Sequence, residues 1–219
     1  MRLYGIVGAG GHGRQVMPVA KKMLEAAKLR SDYEIVFVVE FGSTDPVNGY
    51  PVVTAEEFLA RSCQKYFNVS IADSLARERV ANRFIAGGSA PFSITAQGCV
   101  NLGNNEIGEG AIFSPFTTVA SNVKIGRFFH ANLYSYVEHD CLIGDFVTFA
   151  PNVHCNGRIV IEDHVYIGAG ASIKEGEPGK PLVIGQGAVV GMGAVVTRSV
   201  EPGMTVVGNP AKPMTSGRQ

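Results

Sequence analysis

The densest run of ionisable side chains is "YSYVEHDCLIGD", Tyr134 to Asp145, where Glu138, His139 and Asp140 stand side by side. A histidine titrates near neutral pH, so it can take a proton from a nucleophile and later return it. A neighbouring carboxylate can hold one ring tautomer and stabilise the imidazolium. Without such chemistry the same three letters read as a solvated polar corner. A second run, "VGAGGHGR" (Val7 to Arg14), spaces Gly8, Gly10 and Gly13 as G-x-G-x-x-G between an apolar strand and a helix start. Glycines there let the backbone approach an anion, and the helix N-terminus offers oriented N–H groups. Gly10, Gly11, His12, Gly13 and Arg14 are therefore candidate substrate-binding residues. Glu40, closing the next strand, is the ribose ligand in a dinucleotide reading.

The elements that must position the glycine loop alternate. "LYGIV", "EIVFVVE" and "KYFNVSIAD" read as strands. "TAEEFLARS" reads as a short helix with Thr54 as its N-cap, and "SLARERVANRFIAGG" as a helix stopped by Gly87 and Gly88. Pro18 falls in the second turn of the helix after the glycine loop, where it can kink it. Strands alternating with helices imply a small parallel α/β sheet. Only three strands fit before the pattern changes near residue 90, which is half a dinucleotide fold and favours a nucleotide or nucleotide sugar over nicotinamide.

The polar triplet lies in a different kind of chain. Ile107, Ile125, Ile143 and Ile161 are each separated from the next by 18 residues. Six further on stand Phe113, Ala131, Phe149 and Ile167; twelve further on stand Val119, Val137, Cys155 and Ile173. The unit is a hexapeptide, three to a turn, which suits a triangular parallel β-helix with coils about 4.8 Å apart. The phase resumes at Ile184, so Lys174 to about Pro181 must leave as a loop. In this register Val137 and Cys141 point inward, and Glu138, His139 and Asp140 project from a corner. An end coil exposes an unpaired edge, and the tail "PAKPMTSGRQ" is positioned to cover the last one. The expected organisation is an α/β Rossmann-like domain over 1–88 and a β-helix with a C-terminal tail over 89–219.

The 219 residues carry no net charge and no basic block, which argues against nucleic acid and anionic membrane surfaces. No apolar run approaches the roughly 20 residues of a membrane span. The beginning "MRLYGIVGAG" shows no secretory leader pattern, and a cytoplasmic location is expected. Cys63, Cys99, Cys141 and Cys155 lack C-x-x-C spacing and read as buried thiols.

The repeated "IG" hexapeptides followed by "GMGAVVTRSVEPGMTVVGNPAK" (Gly191 to Lys212) resemble the hexapeptide acyltransferases with a left-handed β-helix. "VGAGGHGR" joined to "EHDCLIGD" narrows the resemblance to the sugar O-acyltransferase group, in its bacterial nucleotide-amino-sugar N-acetyltransferase branch. A sister branch is assigned to sialic acid O-acetylation. The resemblance implies acetyl-CoA as co-substrate, a homotrimer, and acetylation of a UDP-, dTDP- or GDP-linked 4-amino-4,6-dideoxy sugar for surface glycan or glycoprotein synthesis. It implies His139 as general base and Glu138 as the likelier of its two flanking carboxylates to orient it. A backbone N–H near Gly144 is the candidate oxyanion donor. His154 and the small residues Gly168, Ala169 and Gly191 would lie against CoA, with Lys212 and Arg198 toward its phosphates. The pattern departs from its relatives at Glu40-Phe41, where many have two aspartates, and at Ala72, where a glycine is usual. Two other classes share the fold. A γ-class carbonic anhydrase needs an H-x-x-x-x-H pair that His139, His154 and His164 do not form, so no metal is expected. A non-catalytic sugar-nucleotide-binding protein would tolerate loss of His139.

Overall fold

The computed structural model describes residues 1–27 and 33–214. They form two compact units. One contains residues 1–97 together with Glu109–Ile112, and the other contains Gly98–Gly108 and the chain from Phe113 onward.

The first unit is a parallel sheet in the order β3-β2-β1-β4-β5. Its strands are β1 (Arg2–Val7), β2 (Tyr33–Val39), β3 (Val52–Thr54), β4 (Gln64–Val69) and β5 (Ala90–Pro91). The sequence reading of three strands is corrected to five: β3 and β5 are edge strands too short to leave a periodic signal. Helix α1 (Gly11–Ala26) packs Val16, Met17 and Ala20 with Ile6, Phe37, Val52, Ile94 and Ile112. Pro18 lies inside α1, so the hydrogen bond to the carbonyl four residues back is missing there. Helix α2 (Ala55–Ala60) begins in a full capping box: Thr54 Oγ1 accepts from Glu57 N at 3.1 Å, and Glu57 Oε2 accepts from Thr54 N at 2.8 Å. Helix α3 (Ser74–Ala86) is capped by Asp73 and stops at Gly87, followed by Gly88 at φ +74°. Phe84 packs against both Phe58 and Phe67. The buried Asn68 donates to Phe92 O (2.7 Å) and Gly110 O (3.0 Å), which ties the Glu109–Ile112 segment into this unit.

The second unit is the expected parallel β-helix. Its two- and three-residue strands stack in register: Lys124–Ile125 on Leu142–Ile143, then Ile159–Ile161, then Leu182–Ile184. Thr118–Val119, Tyr136–Val137, His154–Cys155, Ser172–Ile173 and Val195–Val196 form a second face. His130–Ala131, Thr148–Phe149, Tyr166–Ile167, Val189–Val190 and Thr205–Val207 continue the third. The predicted inward positions are buried, from Ile125 and Val137 to Cys155 and Ile173. Ile107 is the exception at 37% exposure, because its strand ends a ladder and pairs on one side only. Cys141 and Cys155 are buried in this core, whereas Cys63 and Cys99 are only half-buried, which corrects the reading of four buried thiols.

The turns between strands carry a regular backbone signature. Gly98, Asn104, Gly110, Phe116, Asn122, Phe128, Tyr134, Asp140, Phe146, Asn152, Arg158, His164 and Gly170 all have positive φ, one every six residues. Residues 18 apart share a corner, so bulky ones stack: Phe116 on Tyr134 at 5.1 Å, and Phe128 on Phe146 at 5.4 Å, with His164 on Phe146 at 5.4 Å. The chain ends in an antiparallel pair, Thr205–Val207 with Lys212–Pro213. Gly208 O accepts from Val195 N (2.9 Å) and Val195 O from Ala211 N (2.8 Å), so the start of the tail covers the last strand of the second face. The rest of the expected cover, 215–219, lies outside the described residues. Among the described residues no helix is long and apolar enough to cross a membrane.

Candidate active site

The polar corner has the orientation its register predicts. Val137 and Cys141 are buried, and the His139 side chain between them is 39% exposed. Asp140 occupies the left-handed corner at φ 58°, a conformation that aspartate tolerates better than most residues. That turn brings its carboxylate back to its neighbour: Asp140 Oδ2 lies 2.9 Å from His139 Nδ1. The hydrogen bond to His139 is the main cause that lowers the Asp140 pKa, with Asn122 and Arg158 adding to it. In the tautomer with its hydrogen on Nδ1 the ring donates to the ionised Asp140, and Nε2 is left as the acceptor nitrogen.

Glu138 is not that partner. Its charge acts on Tyr136, whose pKa is raised first by burial and then by Glu138, and on Cys155. The carboxylate within hydrogen-bond distance of the imidazole is that of Asp140, where the sequence reading expected Glu138. Residues 138 and 140 flank the ring symmetrically in sequence, but only the corner dihedral at 140 folds a carboxylate back toward Nδ1.

The ring has a floor that sequence reasoning missed. Gly157 sits one coil beyond His139, and a Cβ there would lie 2.6 Å from His139 Cε1 and 2.8 Å from Nε2. A glycine at this place is what allows the imidazole to lie against the next coil. One coil further, Glu175 Oε1 stands 3.9 Å from His139 Nε2 and is ion-paired with Arg158. The only sequence signal for Gly157 is its 18-residue offset from the histidine. Gly144 is not an available oxyanion donor, since its N–H donates to Ile161 O at 2.7 Å.

The residues expected to hold CoA lie late in the same unit, and none is hydrogen bonded to His139 among the described residues. His154 is stacked on Tyr136 at 5.0 Å and has a partner at each ring nitrogen: Asn152 Oδ1 3.2 Å from Nε2 and Ser172 Oγ 3.3 Å from Nδ1. Gly168 lies directly beneath Gly191 and Met192, where a Cβ would strike their backbone. Ala169 is exposed, and its carbonyl accepts from Gly193 N at 2.8 Å. Lys212 is exposed in the terminal strand pair, opposite Val207, whose side chain packs against Gly191. Among the described residues no group of three or more histidine, cysteine or acidic side chains is arranged to hold a metal.

In the α/β unit the glycine loop follows β1 at the carboxyl edge of the sheet. Gly8 has φ +105°, and Gly13 packs so closely that a Cβ would overlap the Gly8 carbonyl oxygen. Ser70 Oγ donates to the carbonyls of Val7 and Gly8, each at 3.0 Å, which braces the loop from β4. Gly10 caps α1, Gly11 opens it, and neither position has an atom crowding its missing Cβ. Arg14 N closes the first helical bond to Gly10 O, and its side chain is exposed. His12 is pushed down to about 4, first by burial and then by the Arg77 cation. It is therefore neutral at physiological pH. Arg77, which sequence reasoning did not single out, is fully buried and donates to Ile71 O (2.8 Å) and Ala72 O (3.3 Å) behind the β4 loop. Glu40 follows β2 as expected, but its carboxylate is engaged by Arg83 at 3.0 Å. As a ribose ligand it would act within that pair.

Comparison with known proteins agrees with both units. Residues 5–84 match the PglD N-terminal domain, and residues 158–198 match the hexapeptide repeat of succinyl-transferase. The chain is 51% identical to the GDP-perosamine N-acetyltransferase of Escherichia coli O157:H7, over 98% of this chain and 97% of that protein. It superposes on WeeI from Acinetobacter baumannii AYE with a TM-score of 0.94 at 47% identity, covering 98% of this chain and 100% of that one. It also matches the acetyltransferase domain of PglB from Neisseria gonorrhoeae FA1090, solved in complex with acetyl coenzyme A, at a TM-score of 0.83 and 29% identity, covering 97% and 98%.

Proposed function

The chain belongs to the hexapeptide-repeat acetyltransferases that carry a PglD N-terminal domain, and from that membership we propose that it moves the acetyl group of acetyl-CoA onto the amine of a GDP-linked 4-amino-4,6-dideoxy sugar. GDP-perosamine is the first acceptor to test, because the relative that is 51% identical over nearly the whole chain is named for it. The PglB domain that binds acetyl-CoA supports the donor. The division of labour we infer is nucleotide-sugar binding by 1–88 and acetyl transfer by 89–219, in a homotrimer, in the cytoplasm, for surface glycan or glycoprotein synthesis.

One observation carries the mechanism: His139 Nδ1 faces Asp140 Oδ2 at 2.9 Å. Asp140 fixes the proton on Nδ1, so Nε2 accepts the proton that the amine releases as its nitrogen attacks the thioester carbonyl. The C–N bond forms, the C–S bond breaks, and the proton passes from Nε2 to the departing sulfur. The products are the acetamido sugar and CoA thiol. Gly10, Gly11, His12, Gly13 and Arg14 supply the anion-binding helix start, Glu40 acts with Arg83, and His154, Gly168, Ala169, Gly191 and Lys212 line the path of CoA.

A thiol-release assay with acetyl-CoA and a panel of UDP-, dTDP- and GDP-linked 4-amino sugars, with sialic acid included, tests this reading. Turnover on GDP-perosamine that is lost in His139→Asn is the expected result. Activity confined to sialic acid would replace N- with O-acetylation, and silence across the panel would leave a binding protein.

A further inference from the structure

Between Lys174 and Pro181 the β-helix takes in extra residues before Leu182–Ile184 rejoins Ile159–Ile161. This insertion is a built feature. Glu177 and Lys180 exchange backbone hydrogen bonds of 3.1 and 2.9 Å around a turn with Gly179 at φ +72°. Its base is pinned to the coil below: Gly176 N donates to Gly157 O at 3.0 Å and Leu182 N to Arg158 O at 3.3 Å. Gly176 packs so tightly that a Cβ would overlap the Arg158 carbonyl. The residue just before this anchor is Glu175, and the anchor aims it at the catalytic corner.

Glu175 Oε1 lies 3.9 Å from His139 Nε2. That is too far for a hydrogen bond between the two, and it leaves a small donor within reach of both. Arg158 holds the same carboxylate, and Asp140 occupies the other side of the ring at Nδ1. The two nitrogens of His139 thus face different carboxylates, one bonded and one standing off. A carboxylate has about four acceptor sites, so the Arg158 pair does not exhaust it.

The acceptor amine of the reaction proposed above arrives as an ammonium: one proton passes to solvent water before attack, and a second passes to Nε2 as the C–N bond forms and from there to the departing sulfur. Nε2 can take only one of its hydrogens. We propose that Glu175 is a specificity-determining residue that holds the sugar ammonium beside His139 Nε2 and so selects an amine over a hydroxyl. This inference rests on the acetyl-transfer reading. A hydroxyl has one proton, which Nε2 takes, and no charge for Glu175 to balance. An ammonium has donors for both groups and a charge for the carboxylate.

The test is titration of the full-length protein with GDP-perosamine and with the matched nucleotide sugar that carries a 4-hydroxyl. The expected result is that Glu175→Gln weakens binding of the amino sugar about 10-fold and of the hydroxy sugar less than 2-fold. Arg158→Gln, which removes the ion pair but keeps the carboxylate, is expected to preserve the preference for the amine. In steady-state kinetics Glu175→Gln should raise the amino-sugar KM and leave the acetyl-CoA KM unchanged. Equal weakening of both ligands, no weakening of either, or the same loss of preference in Arg158→Gln would overturn the proposal. Retention of turnover by His139→Asn would instead defeat the base assignment and leave the titration contrast standing.

Discussion

The two units handle left-handed backbone in opposite ways. In the α/β unit, Gly8 adopts it beside the candidate anion site, where the absence of a side chain is the useful property. In the β-helix, corner after corner from Asn104 to His164 is left-handed, and most of them carry side chains, Phe116, Tyr134 and Arg158 included. A left-handed turn costs an L-residue roughly 1–2 kcal/mol. The β-helix accepts that repeatedly because each corner is stacked on another 18 residues away, as the ring pairs show. In the proposed function one unit recognises with bare backbone, and the other does chemistry with a side chain beside such a corner.

The sharpest way to break that contrast is His139→Asn. The side-chain half predicts a fall in kcat of about 10³-fold, within the range of general-base catalysis, with an unchanged circular dichroism spectrum. Near-native turnover would refute it. Gly157→Ala comes next: the new methyl displaces the imidazole, and a misplacement of about 1 Å is expected to cost about 10²-fold in kcat. Nucleotide-sugar binding by titration should change little. For the backbone half, Gly13→Ala forces the loop off the Gly8 carbonyl and should destabilise the α/β unit by about 2–3 kcal/mol, read as a lowered denaturation midpoint and weakened nucleotide-sugar binding.

Smaller effects sharpen the picture. Asp140→Asn removes the anion at Nδ1 and should lower kcat about 10-fold, whereas Glu138→Gln should lower it less. The reverse order would restore Glu138 as the orienting group. His12 has a folded pKa of about 4 against about 6.5 unfolded, so the unfolded chain binds the extra proton first. Its contribution to stability is complete above pH 6.5 and is lost as pH falls from 6.5 toward 4. His12→Gln should flatten the stability-versus-pH curve in that window, measured by denaturant midpoints.

Much of this was legible in the chain. The 18-residue spacing of Ile107, Ile125, Ile143 and Ile161 predicts the stacked faces, because burial repeats with the coil. Thr54 and Glu57 announce their helix start because a capping box is local. The hidden features depend on dihedrals or on distant partners. Strands β3 and β5 are too short for periodicity to register. The choice between Glu138 and Asp140 turns on which residue takes the left-handed corner. Arg83 reaching Glu40, and Glu175 reaching His139, join residues 43 and 36 positions apart, where no local pattern links them.

The column that runs through Ser121, His139, Gly157 and Glu175 has a consequence for how such a chain can change length. Insertions and deletions are quantised. Six residues added between His139 and Gly157 would turn everything beyond by a third of a revolution and carry both the glycine floor and Glu175 to another face. Eighteen would keep the face and lift them by one coil, about 4.8 Å. An extra length between these values can be carried as an excursion that leaves and re-enters at one point, as the Lys174–Pro181 segment does before Leu182 rejoins Ile159. Natural variation in this column should therefore be found in the size of that excursion, with the spacing from 139 to 157 held constant.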